Sequence, residues 1–179
     1  MKSVSTLPDL FACLEGKDTI IVEGPRCSGK DHLIREFLQR NPAFSSYEVL
    51  KPRKQFLAQG VSGNLSNLPA DLDIQQSHLW TLDVFRQLRP KVIVNRGMLS
   101  SYHFDGPHSE RLAMWCRMVK DLDAVVVLVL PVQRIHSKRI AAAGRVSEAT
   151  SISVEKAGIL RAATESDLGD RLIHLAEVS

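Results

Sequence analysis

Nine consecutive residues, E-G-P-R-C-S-G-K-D at 23–31, carry the most specific chemistry in the chain. Gly24 and Gly29-Lys30 set the spacing G-x-x-x-x-G-K between an apolar run, Ile20-Ile21-Val22, and a segment with Leu33, Ile34, Phe37 and Leu38 at helical spacing. Glycines let a short loop curl until several backbone N–H groups point inward, which suits a phosphate chain. Gly24, Pro25, Arg26, Cys27, Ser28 and Gly29 would form that cradle, and Lys30 would reach the outer phosphates. The helix opening near Asp31 adds the positive end of its dipole. The position after the lysine usually carries Ser or Thr, whose hydroxyl binds Mg²⁺; here it is Asp31.

Three other stretches place charge where it can act. K-P-R-K at 51–54 follows a short apolar run near 47–50, so Lys51 and Arg53 would sit at the carboxyl edge of a sheet. They can anchor a second phosphate or form a solvated turn. Asn95-Arg96 follows the run 91–94 and leads into G-M-L-S-S-Y-H-F, with Ser100 and Tyr102 as substrate contacts. The segment 134–151 begins with Arg134, His136, Lys138 and Arg139 and includes Arg145. It reads as a solvated basic helix or as a lid whose arginines neutralise a moving phosphoryl group. Cys27 is read as a small filler and His78 as a packed side chain. Gln75, Gln76 and Trp80 could read a base or simply lie on the surface. Glu23 and Glu48 are the nearest general-base candidates.

The elements needed to hold these residues alternate. Strands are expected near 19–23, 47–50, 91–95, 124–130 and 172–178, with helices near 30–40, 73–88, 109–120, 132–143 and 154–166. A short helix with Leu7, Leu10, Phe11 and Leu14 on one side precedes them. Strand–helix alternation predicts a three-layer α/β/α sandwich around a five-stranded parallel sheet. Asn41-Pro42 and Arg89-Pro90 stop two of the helices. Residues 58–72, rich in Gly, Ser, Asn and Pro, read as a mobile loop. Asp121 and Asp123 fall at the amino edge of the sheet, away from the site, and serve a turn.

The 179 residues suit one domain, 1–179, with one sizeable core. With 44% hydrophobic and 24% charged residues, the composition is that of a globular protein and excludes a disordered or fibrous chain. A net charge of +3 is compatible with phosphorylated ligands and too small to establish a nucleic-acid partner. Cys13, Cys27 and Cys116 lack metal-ligand spacing, which points to a reducing compartment. No membrane span or leader is expected, and the cytoplasm is the expected location.

Four stations in order resemble the thymidylate kinase branch of the P-loop kinases. They are the loop at 23–31; K-P-R at 51–53, where those enzymes carry R-E-P; N-R-G-M-L-S-S-Y at 95–102, where they carry D-R-Y followed by S-S and a tyrosine; and R-I-A-A-A-G-R at 139–145, similar to their basic lid. The resemblance implies the P-loop nucleotide-kinase fold, with ATP and Mg²⁺ as cofactors and Lys30 and the Gly24–Gly29 backbone on the β- and γ-phosphates. It implies acceptor phosphate held by Arg96 and Arg53, and Arg139 and Arg145 closing over the donor.

Two departures carry further expectations. The aspartate of D-R-Y is Asn95 and the Ser or Thr of the loop is Asp31, so the carboxylate that serves Mg²⁺ would have moved to Asp31. At Arg26 many thymidylate kinases carry an aspartate that contacts the 3′-hydroxyl of the monophosphate. An arginine there would accept a 3′-phosphate, which a nucleotide inside DNA possesses. The leading expectation is therefore a kinase similar to the phage 5-hydroxymethyluracil DNA kinases, acting on DNA that contains the modified base. The alternatives are a kinase of free deoxynucleotides such as thymidylate, and a non-catalytic nucleotide-binding protein.

Overall fold

The computed structural model describes residues 2–49, 74–100 and 109–176. The K-P-R-K cluster with Lys51 and Arg53, the loop 58–72 and the stretch holding Tyr102 lie outside the described residues.

A parallel sheet runs through the centre. In chain order the elements are β1 (Lys2–Val4), α1 (Leu7–Leu14), β2 (Thr19–Glu23), α2 (Lys30–Arg40), β3 (Ser45–Glu48), α3 (Ile74–Leu88), β4 (Val92–Asn95), α4 (Ser109–Asp121), β5 (Val125–Val129), α5 (Gln133–Ala142), α6 (Ala149–Glu165) and β6 (Leu172–Leu175). The strands lie in the order β1-β6-β5-β2-β4-β3, and every neighbouring pair is parallel.

Period-two side-chain alternation explains the three layers. Ile20, Val22, Ile93, Val125, Val127, Val129, Ile173 and Leu175 face one side, where they pack with Leu10 and Leu14 of α1 and Leu33, Ile34 and Phe37 of α2. Ile21, Val92, Val94, Val126, Leu128 and Leu172 face the other, against Leu79, Leu82 and Phe85 of α3, Leu112, Trp115 and Val119 of α4, and Ile159 and Ala162 of α6. Strands covered on both faces carry apolar residues in succession, and β2 and β5 are buried at every position, with only Thr19 and Glu23 at the ends of β2 polar.

The sheet has six strands where five were expected. The extra one, β1, is three partly exposed residues pairing with β6 through Lys2↔Ile173, Ser3↔His174 and Val4↔Leu175. A strand that short has no readable period, and only the neighbouring β6 defines it. The helix expected from 154 starts at Ala149. Its first turns, A-T-S-I-S, hold β-branched and hydroxyl residues of weak helix propensity. Burial of Ile152 and Glu155 on the same face as Ile159 offsets that.

The order of strands positions the site. The chain leaves β2 toward the β3 edge, and it leaves β5 toward β6. Ligands of open α/β sheets bind outside the carboxyl ends of the strands where the direction of winding reverses. Here that point is the carboxyl end of β2, where 24–29 begins. Among the described residues no helix is long and apolar enough to cross a membrane.

Candidate active site

The loop 24–29 joins the end of β2 to the start of α2 and has an unusual backbone. Gly24 (φ 153°) and Gly29 (φ 102°) have positive φ, and so does Cys27 (φ 60°). At Gly24 an added Cβ would collide with the Val129 carbonyl oxygen at the end of β5, so only glycine lets the loop approach the sheet this closely. Cys27, expected as filler, occupies a conformation that costs a non-glycine residue about 1 kcal/mol or more.

Lys30 opens α2 and is 5% exposed. Its Nζ donates to the carbonyls of Gly24 at 2.7 Å and Pro25 at 2.8 Å, with the Ser28 hydroxyl at 3.4 Å. Burial pushes the amine down to about 8 and the Arg96 charge adds to it, while Glu155, Asp31 and Glu23 pull the other way. Lys30 is thus a buried cation at the foot of a loop whose backbone turns around it.

Three arginines and a histidine tie the loop to its surroundings. Arg26 donates from Nε to Glu155 Oε2 at 3.1 Å, from Nη1 to Glu148 Oε2 at 2.5 Å and from Nη2 to Ser151 Oγ at 2.6 Å. Arg96, in the left-handed region at φ 74°, donates its backbone N–H to Val22 and its Nη1 to Glu155 Oε1 at 2.9 Å. Arg139 of α5 donates to the Ser28 carbonyl at 2.5 Å. His136 of α5 is buried, and its Nε2–H reaches the Arg26 carbonyl at 2.8 Å. Burial holds that imidazole below its usual range. Arg145 pairs with Glu148 at 3.3 Å, so it reaches the loop only through the carboxylate it shares with Arg26.

Glu155 was not anticipated. It is fully buried, and its Oε2 also accepts the Arg26 backbone N–H at 3.3 Å. Burial pushes its carboxyl up, but the bonds and charge of Arg96 and Arg26 outweigh this and hold it below the usual range. A sequence signal did exist. Glu155 stands three residues after Ile152 and four before Ile159, which makes it an acid in the apolar stripe of a helix.

Glu23 has a structural task. It is fully buried, and Oε1 accepts from the Leu99 N–H at 2.9 Å. Oε2 accepts from the Ser100 N–H at 3.0 Å and from the Ser100 hydroxyl. Burial raises its pKa against these bonds. Ser100, expected on the substrate, therefore turns inward and fixes the backbone after β4. Gly97 permits this, because a Cβ there would lie 2.5 Å from Glu23 Oε1.

The structure brings Asp31 and Asn95 together across the α2–β4 gap, where Asn95 Nδ2 donates to Asp31 Oδ1 at 3.1 Å. The Asn95 Oδ1 is buried and has no hydrogen-bond partner among the described residues. An orphaned amide oxygen beside a carboxylate in the first turn of a helix fits the oxygen ligands that Mg²⁺ takes, usually one or two carboxylates completed by phosphate and water. Among the described residues no three His, Cys, Asp or Glu side chains form a metal cluster of their own. A cleft of about 490 Å³ opens beside this pair, with Arg35, Tyr47 and Glu48 also in its walls.

Fold comparison agrees with the topology. Shikimate kinase from Acinetobacter baumannii, in complex with shikimate, superposes with a TM-score of 0.51 at 10% identity, over 94% of this chain and 88% of that one. The chain has the fold of the P-loop kinases. Shikimate kinase from Aquifex aeolicus gives 0.49 at 16% identity over 88% and 85% of the two chains. Thymidylate kinase from Ehrlichia chaffeensis gives 0.43 at 15% identity over 90% and 92%. The sequence matches no protein-family model and no curated protein.

On α3, Gln75 is buried, whereas Gln76 and Trp80, one turn apart, are both exposed, so of the three residues weighed as a base reader Gln75 turns inward and the other two share the outer face. His78 is packed as expected.

Proposed function

We propose that the chain is an ATP-dependent phosphotransferase that moves the γ-phosphoryl group of ATP to a small acceptor in the cleft beside Asp31. The observation that carries this is Lys30, buried among the carbonyls of a loop at the winding reversal, with Arg139 on the Ser28 carbonyl of the same loop and the Arg96 charge close enough to depress the lysine pKa. Backbone N–H groups of the loop and the α2 N-terminus would hold the β- and γ-phosphates, and Lys30 would balance their charge. Asp31 would hold Mg²⁺, with Asn95 keeping its carboxylate in place, and the bound ion would neutralise phosphate charge. An acceptor oxygen attacks the γ-phosphorus in line as the bond to the β–γ bridging oxygen breaks, leaving ADP. Catalysis of this step is largely positioning and charge neutralisation.

Glu23 cannot serve as base while both its oxygens hold the backbone at 99–100. Glu48, exposed on the cleft wall, is placed to take a hydroxyl proton where the acceptor has one. A phosphate-oxygen acceptor needs no base.

For the acceptor we favour a free deoxypyrimidine nucleotide over a base in DNA. The DNA reading drew mainly on Arg26, and that guanidinium is engaged by Glu148, Ser151 and Glu155. A kinase of similar fold is in complex with a small molecule, shikimate. The deciding experiment incubates the protein with γ-labelled ATP, Mg²⁺ and either thymidylate or DNA containing 5-hydroxymethyluracil. Label on the free nucleotide supports this reading. Label on the DNA alone restores the modified-base acceptor, and ATP binding without transfer to either favours a non-catalytic protein.

A further inference from the structure

Two arginines and a lysine crowd the phosphate loop, and one buried carboxylate joins the two arginines. Glu155 Oε1 takes Arg96, and Oε2 takes both the backbone N–H and the Nε of Arg26. We infer that Glu155 is a positioning residue of the phosphate site: it holds Arg96 beside the loop and leaves the rest of that guanidinium to meet the bound phosphate chain. The inference rests on the phosphotransferase reading above and goes beyond it, because Glu155 itself touches no substrate.

Three observations carry it. Glu155 has no exposure to water, so its charge serves side chains within the protein. Its bond to Arg96 occupies Nη1, while Nε and Nη2 take no part in it. The backbone of Arg96 sits at φ 74°, fixed by its N–H on the Val22 carbonyl, so the side chain departs from a rigid, strained point next to Lys30. A long side chain anchored at both ends has little rotamer freedom left to lose when an anion arrives. Glu148 and Ser151 grip the other end of the Arg26 guanidinium, so the loop keeps that anchor without Glu155, whereas Arg96 loses its carboxylate partner.

Electrostatics gives the test its direction. Removing the Glu155 charge leaves Arg26, Lys30 and Arg96 less compensated, and excess positive charge alone would tighten anion binding. Weaker binding would therefore report lost positioning. The experiment is a double-mutant cycle on the full chain. Binding of ATP with Mg²⁺, and separately of inorganic tripolyphosphate, is measured by calorimetry for wild type, Glu155→Gln, Arg96→Ala and the double variant. Glu155→Gln should weaken both probes about tenfold, a loss that disappears when Arg96 is already alanine. Lys30→Ala, run alongside, reports the phosphate site itself. An equal loss in both backgrounds, no loss, or tighter binding would overturn the role of Glu155 while the phosphate site stands. Failure of wild type to bind either probe would overturn the site and the inference together. If Glu155→Gln does not fold, Glu155→Asp, which keeps the charge but is one methylene short of spanning both arginines, enters the same cycle with the same expected pattern.

Discussion

At residue scale, the pairing of Asp31 with Asn95 bears on how the chain manages without the usual loop hydroxyl. One acid is absent from the end of β4 and one is present at the start of α2, and their side chains meet at 3.1 Å. A carboxylate there is well placed by the helix dipole, and the amide keeps it from turning away. Asp31→Ala should therefore lower Mg²⁺-dependent turnover roughly 10²-fold or more. The exposed side chain leaves folding nearly untouched, within about 1 kcal/mol. Initial rates across a Mg²⁺ titration, beside a urea melt of the same variant, check both halves. Near-normal turnover would remove Asp31 from the metal site. The two acids of the loop region also divide their labour by burial. Glu23, locked inside, holds backbone, whereas Asp31, at the surface of the cleft, faces what enters it.

At element scale, α3 and α6 show how polar residues inside helices are tolerated. His78 lies in the buried face of α3, and burial pushes its imidazole down to about 3 from 6.5. The folded state refuses a proton that the unfolded chain accepts between those values, so stability falls as pH drops through that window. The limiting slope is about 1.4 kcal/mol per pH unit. Urea midpoints at about pH 7 and pH 5 should show wild type losing up to ~2 kcal/mol more than His78→Leu. Equal losses would mean that the imidazole is protonated in the folded protein. The elements were also where the sequence was most legible. Buried strands announced themselves as unbroken apolar runs, and α2 keeps its expected bounds because Gly29 and Asn41-Pro42 punctuate it. What escaped reading depends on partners distant in the chain. β1 exists only through β6, and the first turns of α6 are helical because Ile152 and Glu155 are buried. Glu155 escaped for the same reason, since its role is defined by arginines more than fifty residues away. Arg26 was read as facing a ligand because its charge was visible in the loop and its acidic partners, Glu148 just before α6 and Glu155 within it, were not.

At the scale of the whole molecule, the winding reversal makes a site of scattered residues. The loop follows β2, Asn95 ends β4 with Arg96 just beyond it, and α5 and α6 bring Arg139, His136 and Glu155 to the same place. The arrangement gathers cations near a buried lysine, and one carboxylate bridges two of them. The central claim, that the loop binds the phosphate chain of ATP and that its γ-phosphoryl group is transferred, rests on Lys30. The most direct measurement follows label from γ-labelled ATP to thymidylate with wild type and with Lys30→Ala at matched fold, judged by circular dichroism. Transfer by wild type, falling by roughly 10³-fold or more in the variant, is the predicted result. A loss below tenfold, with the fold intact, would contradict the account.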